Sequence, residues 1–159
     1  MHPIVIPFEP SSLGRVVFLA EVMTGDRKTL GDVIFKLDSG SDFTTLSCDD
    51  LDVLGYNMDY LKTCPFHDSH ASTASDDLIL PLQYISDVSI KFGDRELQGC
   101  RVFFALGTNL RSLFGSDILK YFNREKSYDD GELRLLELIN KPSLPSGEKP
   151  IQIYTIENK

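Results

Sequence analysis

The chain has 159 residues, 42% hydrophobic and 25% charged, which is ordinary globular composition with enough apolar mass for one cored domain. Acids outnumber bases 24 to 16, for a formal charge of −8; the basic face that phosphate neutralisation requires is missing, which argues against nucleic acid. No apolar run approaches the ~18 residues of a membrane span, no basic-then-apolar leader opens the sequence, and Cys48, Cys64 and Cys100 are too few and scattered for a disulfide framework, so free thiols in a reducing cytoplasm are expected.

Residues 1–14 carry Pro3, Pro7 and Pro10 around Ile4-Val5-Ile6. Proline disfavours a helix interior, so this segment reads as an N-terminal arm or edge strand. Arg15 to Met23 reads as a strand, Thr24-Gly25-Asp26-Arg27 as a turn, and Asp32 to Leu37 as the next strand. Ser47, with Asp50 three residues on, predicts a capped helix that stops near Gly55. Residues 57–80 show no clean period and are expected to form a long loop or a mobile hairpin, a length that usually signals function. Val88, Ile90 and Phe92 alternate with polar residues, Gly93-Asp94 turns the chain, and Leu97 to Leu106 returns as a hairpin arm. Asn109 to Phe114 reads as a short strand, followed by a helix capped by Ser116 or Asp117 and running through Phe122. After the Asp129-Asp130-Gly131 turn, Leu133 to Leu138 is a late strand. Lys141 to Pro150 has linker composition, and Ile151 to Ile156 is a candidate strand for pairing with a partner chain. Strands dominate, with one or two short helices.

The chemistry concentrates at Asp38-Ser39-Gly40-Ser41, at the end of the apolar run Val33 to Leu37. A carboxylate at the mouth of a buried strand, followed by Ser-Gly-Ser, can be held against a loop of hydrogen-bond donors. By itself Asp-Ser-Gly is common turn chemistry. Leu113-Phe114-Gly115-Ser116-Asp117-Ile118-Leu119, well downstream, supplies two apolar residues, a glycine and a helix start that can pack against that loop. Cys64, His67, Asp68 and His70 carry metal-ligand types at a spacing that fits no closed zinc site, so an exposed polar loop is the reading and no metal or other cofactor is expected. Phe103-Phe104 reads as core, and Asp49-Asp50 and Asp129-Asp130 as solvated acids.

The two segments, Phe35 to Ser41 and Leu113 to Leu119, resemble the retropepsin-like aspartic proteases, the single-domain relatives of pepsin. The likeness spans roughly residues 15–140, with residues 141–159 as linker and pairing strand. It implies an all-β acid-protease barrel, one lobe per chain, and a homodimer in which two Asp38 carboxylates meet on a two-fold axis. It further implies an endopeptidase acting on a peptide or protein, with Asp38 catalytic. Gly40 would bring its N–H to the carboxylates, Ser39 would tie the two loops across the dimer, Ser41 would bond the outer carboxylate oxygen, and Phe114 and Gly115 would pack beneath the loop. Asp117 reads as a helix cap and not as a second catalytic acid.

Three departures stand out. Asp42 occupies a place where a small or apolar residue would be more comfortable. Pro65 to Pro81 contains no glycine, whereas the family's flap hairpin carries one, so Ser69, His70, Ala71, Ser72 and Thr73 are the flap candidates. The dimer strand is open between Ile4 to Ile6 and Ile151 to Ile156. The alternative to a general endopeptidase is the same fold serving dimerisation or peptide binding, or processing only itself.

Overall fold

The computed structural model describes residues 2–8, 15–25, 29–72, 79–108, 110–127, 131–144 and 148–156. Residue alternation builds the larger sheet. In β2 (Val17–Thr24), Phe18, Ala20 and Val22 are buried while Val17 and Leu19 face out. In β3 (Leu30–Leu37), Val33 and Phe35 are buried while Ile34 faces out. Antiparallel pairing sets Phe18 opposite Phe35 and Ala20 opposite Val33, so both strands turn the same face to the core. The other strands of this sheet are β4 (Phe66–Ser72), β5 (Ile79–Phe92), β6 (Arg95–Phe104), β7 (Leu113–Phe114) and β10 (Gln152–Thr155). Their order is β10-β6-β5-β2-β3-β7, with β4 paired to β5 beside that path. Among the described residues the only parallel pairing between strands, Lys36 with Leu113 and Leu37 with Phe114, joins β3 to β7.

The 14-residue β5 pairs with β6 along one edge and serves two neighbours along the other because it is bulged. Its register shifts around Asp87, whose φ is +58°. An extra residue there bends the strand, so its first half meets β4 and its second half meets β2.

A smaller sheet of β1 (Ile4–Pro7), β9 (Glu132–Glu137) and β8 (Phe122–Ser127) runs in the order β1-β9-β8. Ile4 lies opposite Leu135 and Ile6 opposite Leu133, and all four are buried. Ile4, Ile6, Phe8 and Ile151 belong to the same core cluster as the central strands. The N-terminal segment is therefore an edge strand whose apolar residues complete the core. Phe114 lies at the heart of that core, edge-on to Phe18, Phe35 and Phe92 at centroid distances of 5.1, 5.7 and 5.4 Å.

Three short helices are present among the described residues, where one or two were expected: α1 (Cys48–Val53), α2 (Met58–Thr63) and α3 (Ser116–Leu119). Residues 57–80, expected as a long loop or a mobile hairpin, hold helix α2 and strand β4, and β4 pairs antiparallel with β5. Asn57 caps α2, its side chain accepting the Tyr60 N–H at 2.8 Å. Leu61 alone is buried in this helix, so no apolar period marks it. The helix expected through Phe122 ends at Leu119, and Phe122 opens β8. The strand expected from Asn109 is confined to Leu113–Phe114, and Asn109 lies outside the described residues. Among the described residues no helix is long and apolar enough to cross a membrane.

Candidate active site

Strand β3 carries Asp38 to the edge of the core, and β7 fixes it there. The Asp38 N–H donates to the Phe114 carbonyl at 3.0 Å, continuing the parallel pairing one residue beyond the strand. The Ser41 N–H then donates to the Asp38 carbonyl at 3.1 Å and closes a turn. Within the turn the Gly40 N–H donates to Asp38 Oδ1 at 3.0 Å. The carboxylate is thus oriented by its own loop, as an Asx turn orients it. Asp38 is half-buried, whereas Ser39, Gly40 and Asp42 are exposed, so the charge of Asp42 points to solvent.

The loop is stitched to the downstream motif. Ser116 N–H donates to the Ser41 carbonyl at 2.8 Å. A Cβ on Gly115 would lie 2.4 Å from the Phe43 carbonyl oxygen and 2.9 Å from that of Ser41, so only glycine lets the two backbones approach this closely. Thr44 is buried, and its N–H and hydroxyl donate to Asp117 Oδ2 and Oδ1 at 3.0 and 2.6 Å. Its hydroxyl oxygen in turn accepts the Gly115 N–H at 3.1 Å. Burial holds the Asp117 carboxyl above the usual carboxylate range, against the pull of the Thr44 and Ile118 donors and the Lys120 charge. Asp117 is therefore a loop anchor where a helix cap was expected. Gly115 takes the N-cap position of α3 with no side-chain bond, although Asp117 Oδ1 does accept the Ile118 N–H at 3.0 Å.

The expected residues come together unevenly. Asp38, Ser39, Gly40, Ser41, Phe114 and Gly115 form one unit. The Ser41 hydroxyl, expected on the carboxylate, donates to the Phe43 carbonyl at 2.8 Å. Among the flap candidates, Ser69, His70, Ala71 and Ser72 lie on β4, paired with β5 through His70–Pro81, Ala71–Leu80 and Ser72–Ile79. A glycine-free hairpin arm therefore does form there. Thr73 lies outside the described residues.

Sequence reading missed Thr44, the anchoring role of Asp117, and two further features. An aromatic wall joins the loop to β4: Phe43 lies 4.7 Å from Phe103 and 5.2 Å from His67, and Tyr84 lies 5.8 Å from Phe103. A cleft of about 400 Å³ opens beside Asp38 and Ser39, with Leu37 and Leu133 on its walls and the cations Arg124 and Lys126 from β8. Among the described residues no group of three His, Cys, Asp or Glu side chains gathers as metal ligands. Cys64 donates to the Tyr60 carbonyl, and the His67 ring packs against Phe43 and Phe103.

No protein-family model matches this chain, and no curated protein matches it. The crystal structure of a retropepsin-like aspartic protease from Rickettsia conorii does match in three dimensions, with a TM-score of 0.56 over 84% of this chain and 90% of that one. The chain has a retropepsin-like fold. Sequence identity between the two is 18%, so the likeness concerns the path of the backbone, and the chemistry rests on this chain's own residues. In this retropepsin-like fold the Asp38 turn and the Gly115 crossing are the contact between the β3 loop and α3.

Proposed function

We propose that this protein is an aspartic endopeptidase that acts as a homodimer, with residues 15–140 as its protease unit. One chain supplies one oriented carboxylate, and the chemistry needs two. When two copies bring their Asp38 side chains to ~3 Å, both cannot ionise readily, and the pair holds one proton. The ionised member takes a proton from water while the protonated member donates to the scissile carbonyl. A tetrahedral intermediate forms, and proton transfer to the leaving nitrogen breaks the C–N bond. The pair titrates as a unit, with pKa values belonging to both acids together. Phe43 and Tyr84, half-buried and packed on the buried Phe103, offer an apolar surface beside the loop for side chains of a peptide or protein substrate.

The observation that carries this reading is Asp38 Oδ1 held by the Gly40 N–H on a turn locked by Phe114 and Ser116. The test is cleavage of a diverse peptide library from mildly acidic to neutral pH, repeated with Asp38→Asn. The wild type is expected to cleave and to be blocked by a statine-type mimic of the tetrahedral intermediate. The variant is expected to retain its fold and lose at least ~10³-fold in rate, of the order seen when a principal catalytic group is removed. Binding without cleavage in the wild type would establish the peptide-binding alternative instead.

A further inference from the structure

A second cleft, of about 310 Å³, opens on the face of β3 turned away from the core. The exposed Val17 and Ile34 give it an apolar floor, and Arg15, Lys36 and Arg111 bring three cations to its walls. Lys36 and Arg111 are distant in sequence and meet because β3 pairs with β7. Lys36 lies beside Leu113, and its N–H donates to the Ser112 carbonyl at 3.1 Å. The Thr45 hydroxyl donates to the Arg111 carbonyl at 2.6 Å, which fixes the backbone that carries the guanidinium.

Strand alternation relates this cleft to the reacting acid. Val33 and Phe35 face the core, so Ile34 and Lys36 take the opposite face. The Asp38 N–H continues the pairing with β7 one residue past the strand, which gives Asp38 the same sense as Lys36. Two residues of strand, about 7 Å, separate their Cα atoms. Two residues of an extended peptide cover the same length. A peptide held at Asp38 therefore presents to the cleft a side chain about two residues from its scissile bond.

Charge decides which side chain fits. Asp50 is the one carboxylate on these walls among the described residues, and it is engaged. It accepts the Ser112 hydroxyl, whose oxygen in turn accepts the Ser47 N–H at 2.9 Å. Among the described residues no carboxylate pairs with Lys36 or Arg111. In a chain of formal charge −8, this concentration of positive charge is local and complementary to an acid. A Glu or Asp side chain can take the guanidinium in a two-bond fork and the ammonium as a point charge, with its methylenes over Val17 and Ile34. The single negative charge of an Asp38 pair opposes this from about 7 Å, close to the ~8 Å screening length at physiological salt. The cations act at contact, so attraction wins. A Lys or Arg in the cleft would meet like charge.

We infer that this cleft selects substrates with Glu or Asp about two residues from the scissile bond, and that Lys36 and Arg111 set the preference. This rests on the proteolytic reading above and names the substrate class of that site. Each copy of a homodimer contributes one such cleft, so the preference applies on both sides of the bond.

The test uses a peptide library in which every member is made in a Glu form and an otherwise identical Gln form. Rates give kcat/KM for each pair with the full-length wild type, Arg111→Glu and Lys36→Glu. Anisotropy of the fluorescein-labelled pairs on Asp38→Asn, with and without Arg111→Glu, reads binding without cleavage. The wild type is expected to favour the Glu form about tenfold where Glu lies one to three residues from the cut, between the small worth of an exposed ion pair and the larger one of a buried charged hydrogen bond. The ratio should shrink from about 0.1 M to about 1 M salt. Either reversal should bring it to one or invert it. The ratio is taken within each protein, so a general loss of activity does not imitate the effect. Arg111 is exposed and lies outside any strand, so its reversal serves should Lys36→Glu fail to fold. Equal cleavage of both forms, or a Glu preference that the reversals leave intact, would overturn the role of the cleft and leave the proteolytic reading standing. Glu-selective binding that Arg111→Glu abolishes, in a protein that cuts nothing, upholds the cleft and removes the proteolytic reading. Neither cleavage nor binding overturns both.

Discussion

The carbonyl oxygen of Phe43 lies 2.4 Å from where a Cβ on Gly115 would be, with the Phe43 carbonyl carbon at 2.6 Å. Both obstacles are backbone, so nothing small can swing aside. Gly115→Ala is expected to cost about 1–3 kcal/mol, the usual range for overpacking, and to loosen the Asp38 turn. Urea unfolding measures the stability, and unchanged stability would mean that the loop and α3 are not in contact. Asp117 makes a different demand. Its native carboxyl holds a proton more tightly than in the unfolded chain, because burial raises its pKa. Its contribution to folding is therefore greatest below the ordinary carboxylate pKa of ~4 and declines as pH rises through the raised native value. Asp117→Asn must turn an amide donor toward one of the Thr44 donors, at about 1–3 kcal/mol. Relative to that variant, the wild type should gain stability as pH falls from neutrality. Urea midpoints compared at several pH values check this, and a relative loss toward acid would contradict it.

At the scale of elements, legibility followed the source of the order. Strands β2, β3 and β9 and the β5–β6 hairpin announce themselves because one face is buried and the other wet, which writes a period of two into the residues. Helix α2 carries no such period, since Leu61 is its one buried residue. Its stability comes from the Asn57 cap and from Gln83, on a strand distant in sequence. The buried Gln83 Nε2 donates to the Leu61 and Cys64 carbonyls at 3.0 and 3.1 Å, which ties the helix end to β5. No local pattern could reveal that tie. Gln83→Ala removes this donor from the Cys64 carbonyl and leaves the Leu61 carbonyl with the Cys64 N–H alone; it is expected to cost about 1–3 kcal/mol, with the earliest loss of amide-exchange protection at 58–66. Uniform protection across the chain would show that α2 is held otherwise. The candidate site divides in the same way. The turn at Asp38 and the Gly115 crossing were legible as contiguous motifs. The Thr44–Asp117 anchor and the β8 cations were not, since each depends on partners brought together by tertiary structure.

For the whole molecule, the proposed function makes the site half of a reaction centre. One chain of this retropepsin-like fold carries one Asp38 turn and a β4–β5 arm. The proteolytic account therefore stands on pairing. Mixing wild type with Asp38→Asn at constant total chain concentration, after exchange of protomers, tests this most directly. If two Asp38 carboxylates are required, an equimolar mixture holds them in about a quarter of its dimers, and cleavage should fall to about a quarter of the undiluted rate. A fall to only half, in proportion to the wild-type fraction, would show that each chain works alone and would contradict the shared-carboxylate mechanism.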